Sequence, residues 1–247
     1  MGKLIGCLLK ELIGFPLSIL LAPLIYSFVY EAYLFLVYSI KLSSIIWFIC
    51  GSFLYVLVYI LIFLIGGALP YTIFFLEHLE HELGHSIAGF IFLRGTRKLI
   101  ANPGWKHEDG EQSQVVFLDS SYAPNFLIRL APYYFPVFTI PLLIAEPLAS
   151  FPLREIIDLL IGFTLAFHFV GLRREFGLKQ ETDIAPYGLS FPFCITCLLN
   201  TILLVIAICV VSRNYLGILN YFESSIARTP ESYQAALQTL TILMQND

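Results

Sequence analysis

Residues 77–90 read EHLEHELGHSIAGF, preceded by LPYTIFFL at 69–76 and followed by IFL at 91–93. Three histidines and three glutamates stand inside a run that otherwise has the composition of a membrane-buried helix. Each ionisable side chain placed in hydrocarbon costs ~2.5–3.5 kcal/mol on insertion scales. The stretch needs a reason to hold six of them, and that reason organises the reading of the rest of the chain.

The surrounding composition is that of an integral membrane protein. Of 247 residues 58% are hydrophobic and 13% charged, with a mean hydropathy of +0.80, whereas soluble domains carry about 25% charged residues. A net charge of −4 gives no basic surface, so nucleic acid is not an expected partner. Cys7, Cys50, Cys194, Cys197 and Cys209 lie mostly in apolar runs and read as buried free thiols. The Cys194-x-x-Cys197 pair has neither a second pair nor a soluble setting, which removes the zinc-ribbon and redox readings. Lys3 and Lys10 precede an apolar run with no small-x-small cleavage site, so a retained first span is expected. LIGC at 4–7 lacks the preceding apolar segment of a lipobox.

A spanning helix needs about 20 mostly apolar residues. Six segments qualify, 12–38, 43–65, 70–93, 126–148, 153–172 and 188–211, and the expected fold is an all-α, multi-pass membrane protein. Gly66-Gly67 and Pro70 break the second span from the third. Pro132, Pro136 and Pro141 predict a kinked or partly unwound fourth span. Between them, residues 94–125 carry RKLIA, the turn signal Asn102-Pro103-Gly104 and QVVFL, which predicts a short β-hairpin or reentrant sheet against the membrane. In the tail, Thr229 as N-cap with Pro230 at the first helical position predicts a helix start. Tyr233, Leu237, Leu240 and Met244 give that helix an apolar stripe suited to the membrane surface or to packing. The expected division is 1–69 for the first spans, 70–211 for the core and 212–247 for an amphipathic tail. Nine basic residues (Lys41, Arg94, Arg97, Lys98, Lys106, Arg129, Arg173, Arg174, Lys179) against five (Lys3, Lys10, Arg154, Arg213, Arg228) place the exit of the third span in the cytoplasm.

His81-Glu82-Leu83-Gly84-His85 is an H-E-x-x-H pattern on that third span. At about 100° per residue, positions i and i+4 sit about 40° apart on one face. Two imidazoles so placed can hold one Zn²⁺ at about 2.0–2.1 Å each. Glu82 flanks that face and can take a proton from a water polarised by the ion. His78 shares the face but lies about 10 Å along the axis from His85, which suits it to lining or supporting the site. Glu77 and Glu80 acquire no role from the pattern. A hydrolytic zinc site keeps three protein ligands and one open position. At the right depth the third ligand is His168, near the end of the fifth span, or Asp183, in LKQETDIAPYG. Glu146, Glu155 and Asp158 are on the opposite side, and Asp119 is in the loop.

HELGHSIAGFIFLRG inside an apolar span resembles the first core helix of the site-2 protease family of intramembrane zinc proteases. The order that follows, a sheet-like loop, LAPYYFP, then GFTLAFHFVGL leading to QETDIAPYG, is similar over about residues 70–205. The resemblance implies a zinc-dependent intramembrane endopeptidase acting on membrane-embedded protein substrates. It implies one Zn²⁺ held by His81, His85 and Asp183, with Glu82 as general base and His168 as the rival ligand. ETDIAPYG stands where better-known members have Asp followed by Gly, and Asn125 is the candidate for the family's asparagine in the second core span. A further expectation, from the need to hold a substrate unwound, is that residues 97–118 pair with it as an added strand. Two other classes stay open: a membrane zinc transporter, for which the second histidine-rich helix of that fold is missing, and a catalytically silent zinc-binding protein. A gluzincin-type protease would need a glutamate ligand, and Glu146 and Glu155 are on the wrong side.

Overall fold

The computed structural model describes residues 2–93, 96–100, 114–117, 125–177 and 183–245. Among them helix predominates: α1 Gly2–Tyr38, α2 Ile46–Ile65, α3 Leu69–Ile91, α4 Phe126–Leu130, α5 Thr139–Ala145, α6 Leu153–Glu175, α7 Ser190–Val211 and α8 Tyr215–Gln245. Four helical stretches are long and apolar enough to cross a membrane: Gly14–Tyr38, Ile46–Ile65, Leu153–Glu175 and Ser190–Val211.

Two of the six expected spans differ. The third is a helix of 23 residues, but Glu77, Glu80 and Glu82 make it less apolar than a plain membrane crossing. The fourth, 126–148, is a chain of short pieces: α4, a 3-10 turn at Ala131–Tyr133, α5 and a second such turn at Glu146–Leu148. Pro132 and Pro136 each remove a backbone donor within about one turn of each other, and the chain breaks there, whereas α1 runs on through Pro16 and Pro23 and α8 through Pro230. The break before α3 lies at the expected residues, with Gly66 and Gly67 at φ +70° and +67° and Pro70 in the first turn. Strands β1 Thr96–Ile100 and β2 Gln114–Phe117 pair antiparallel, Thr96 opposite Phe117 and Ile100 opposite Gln114. The Asn102-Pro103-Gly104 turn signal, Asp119 and residues 180–182 lie outside the described residues.

The chain divides into two compact units, 1–45 with 185–247 and 46–184. This grouping differs from the three-part division read from the sequence, because α1 packs on α7 and α8. In the first unit Phe28, Ala32, Phe35, Val205, Cys209 and Tyr221 form the core. The Tyr221 hydroxyl donates to the Phe28 carbonyl at 3.1 Å. Glu31, a carboxylate inside an apolar helix, is paired with Arg228, whose guanidinium also lies over the Tyr30 ring at 4.4 Å. The helix start expected at Thr229-Pro230 does not occur: α8 runs from Tyr215 through Pro230, and Thr229 donates to the Ser225 carbonyl instead of capping. Contacts to α1 on both sides of the proline, from Tyr221 and Arg228 before it and from Ser232 and Tyr233 after it, override the local stop signal.

In the second unit α2 and α6 cross backbone to backbone. A Cβ on Gly51 would sit 1.9 Å from the Leu159 carbonyl oxygen, and one on Gly162 would sit 1.9 Å from that of Phe48. Small residues at such crossings are how apolar helices associate where lipid removes the hydrophobic drive. Ser52 donates across the gap to the Gly162 carbonyl at 3.1 Å, and Tyr55 packs edge-on against Phe163 and Phe167. Replacing Gly51 or Gly162 by Val is expected to destabilise the fold by at least about 1–3 kcal/mol, lowering the midpoint of thermal unfolding in detergent. Gly177→Ala, in open space, is the control that leaves the midpoint where it is.

Candidate metal centre

The second unit brings His81, His85 and Asp183 together. Each offers one donor atom, and the three atoms lie within 4.8 Å of one another. His81 and His85 stand one turn apart on α3, their rings 4.9 Å between centroids, as the i, i+4 spacing requires. Asp183, in the turn after α6, places Oδ2 3.2 Å from His81 Nε2 and 3.3 Å from His85 Nε2. An ion bound at about 2.0–2.1 Å with tetrahedral angles would hold its ligand atoms about 3.3 Å apart. The side chains are 10%, 12% and 8% exposed, so little bulk water reaches the cluster to solvate it.

The other ring nitrogens fix how the histidines present themselves. His85 Nδ1 is 2.9 Å from the Ile128 carbonyl oxygen, which only accepts, so Nδ1 carries a proton and donates. His81 Nδ1 lies 2.8 Å from Glu175 Oε2 and donates to that carboxylate. With Nδ1 protonated in both neutral rings, both Nε2 lone pairs and the Asp183 carboxylate converge on one point. Three acceptors so arranged hold either shared protons or a cation, and this donor set of two imidazoles and one carboxylate is one that suits zinc. Burial alone would push the Asp183 carboxyl up. When shared protons rather than an ion sit between these groups, hydrogen bonds from His81 and His85 and their positive field outweigh burial and hold Asp183 well below the usual carboxylate range.

Local structure explains the convergence. Asn125 caps α4, its Oδ1 accepting from Ile128 N at 2.9 Å, and this short helix presents the Ile128 carbonyl to His85. Gly84 lets the turn that follows α4 close on α3: a Cβ there would come within 3.1 Å of Pro132 Cα. Ala88 packs with Ile128 and Ala131 at the same contact. Tyr133, 1% exposed, lays its ring edge-on to His81 at 5.4 Å and directs its hydroxyl toward Asp183 Oδ2 at 3.5 Å.

Of the candidates named from sequence, His81, His85 and Asp183 are brought together. Glu82 is buried on the same turn of α3, where its carboxylate feels His81, His85 and Asp183. His168 stands elsewhere: it is 2% exposed, with Nδ1 3.6 Å from Glu80 Oε2. His78 Nδ1 turns back to the Phe74 carbonyl of its own helix at 2.7 Å. Glu77 accepts from Arg174 at 2.7 Å, and Arg174 covers the Phe74 ring at 4.0 Å. Glu146, on the side excluded above, is paired with Arg154. Glu175, Tyr133 and the Ile128 carbonyl were not anticipated. A sequence signal existed for Glu175: an acid in the last turn of a helix opposes the helix dipole, where Arg173 and Arg174 suit it.

Purified protein supplied with zinc is expected to retain it, and Asp183→Asn to weaken binding by more than the roughly 10–100-fold typical of residues that only support a ligand. His168→Gln is expected to keep wild-type zinc content by elemental analysis; the reverse pattern would make His168 the third ligand. No family model matches the chain, and no curated protein or solved structure does either.

Proposed function

We propose that this membrane protein is a zinc-dependent intramembrane endopeptidase of the site-2 protease type, cleaving peptide bonds in membrane-embedded protein substrates. The observation that carries the proposal is the meeting of His81 and His85 with Asp183, 98 residues further on, beside a buried Glu82. His81, His85 and Asp183 would hold the ion, and three protein ligands is the number used by catalytic rather than structural zinc. The chemistry such an ion would supply is Lewis acidity toward the substrate carbonyl and a lowered pKa for water, toward 7.

The protein's own groups do the rest. Glu82 accepts the proton as water attacks the peptide carbonyl, then returns it to the leaving amine, so the general base ends each turnover as it began. Glu175 and the Ile128 carbonyl keep both imidazoles in the tautomer that offers Nε2. A helical substrate must unwind before its carbonyls are free to react, and pairing with residues 97–118 as an added strand would hold it extended. The active site is proposed to lie nearer the cytoplasmic side, as the basic-residue bias indicates.

Two sets of variants test this. Membrane proteins from cells carrying wild type are expected to show new termini that vanish with Glu82→Gln and with a zinc chelator. The turnover loss for Glu82→Gln is expected to be about 10²–10⁴-fold, with zinc content unchanged. If no Glu82-dependent termini appear, the protease reading fails; zinc flux into vesicles that survives Glu82→Gln would make the protein a transporter instead. Replacing Val115 and Phe117 by Pro should impair cleavage while leaving bound zinc in place, and undiminished cleavage would remove the added-strand step.

A further inference from the structure

The two histidines of the donor cluster are supported unequally. His85 Nδ1 donates to a neutral backbone carbonyl, and His81 Nδ1 to the Glu175 carboxylate. Glu175 is the last residue of α6 and only 17% exposed, an unfavoured place for an acid at the negative end of a helix. Its neighbour Arg174 fixes the register of this helix end against α3 through Glu77. Gly171, one turn earlier, leaves room for Glu77: a Cβ there would stand 3.4 Å from Glu77 Cγ. The consecutive residues Arg174 and Glu175 thus grip α3 at Glu77 and His81, positions i and i+4 on one face.

We infer that Glu175 is a positioning residue for His81, which orients its ring by the Nδ1–H hydrogen bond and supplies the second negative charge of a buried divalent-cation centre. This rests on the metal reading above and deepens it. Asp183 and Glu175 together carry two negative charges, matching one divalent ion in a region where an uncompensated charge is costly. Glu82 is left outside that balance and stays available as a base. A carboxylate behind a ligating imidazole also raises its donor strength, which a backbone carbonyl does less well.

The test measures zinc affinity of the full-length protein in detergent by competition with a chromophoric chelator. Glu175→Gln keeps an acceptor for Nδ1–H and removes the charge, and Glu175→Ala removes both. Affinity is expected to fall about 10–100-fold for Gln and further for Ala, and both variants binding within about threefold of wild type would overturn the inference. A second readout does not depend on affinity. The zinc-loaded wild type should show two low-field imidazole N–H proton resonances, with the one bonded to the carboxylate furthest downfield. Glu175→Gln should move that one alone, and an unmoved pair would contradict the assignment. If wild type itself binds no zinc, the fault lies with the metal reading and not with Glu175 alone.

Discussion

The polar side chains of α3 need partners that an apolar setting does not supply, and α6 supplies them. Glu77 meets Arg174, Glu80 meets His168 and His81 meets Glu175, so three successive positions on one face of α3 are answered by one helix. Leaving any of these groups buried and unanswered would cost several kcal/mol on the order of a lost charge pair. The same contacts fasten the end of α6 to α3 beside the histidines that Asp183 meets. The apparent excess of charge in residues 77–90 thus ties α3 to α6, and the cluster of His81, His85 and Asp183 lies beside that tie.

On the other side of α3 the constraint is steric rather than electrostatic. Gly84 and Ala88 make a shallow face on which the turn around Pro132 rests. The closely spaced prolines of 126–148 favour a break where the backbone turns, and Asn125 caps the short helix whose carbonyl accepts from His85. Residue 132, four on from Ile128, is a proline with no amide hydrogen, so the Ile128 carbonyl lacks its usual helical donor and accepts from the Ala131 amide and from His85 instead. The break in the helix and the orientation of the ligand are therefore two aspects of one feature.

How much of this was legible in the sequence depends on whether the signal was local. His81, Glu82 and His85 follow from helical spacing, and the Gly66-Gly67 break from turn chemistry. Asp183 was one of two candidates, because depth along a span ranks residues but cannot say which way a side chain faces. His168 was at a suitable depth and is turned to Glu80. A backbone carbonyl such as that of Ile128 leaves no mark in a sequence, and Tyr133 is one of 14 tyrosines with nothing to single it out. Thr229-Pro230 carried a valid local helix-start signal, but Glu31, Ser27 and Leu20 on α1 supply contacts that keep α8 continuous past it.

The central claim is that His81, His85 and Asp183 hold one divalent ion through two Nε2 atoms and a carboxylate oxygen. X-ray absorption at the zinc edge of the purified, zinc-loaded protein tests it most directly. The expected spectrum has two imidazoles at about 2.0–2.1 Å and oxygen ligands at about 2.0–2.2 Å, with no sulfur. Sulfur scattering at about 2.3 Å, or fewer than two imidazoles, would place the ion elsewhere and contradict the account.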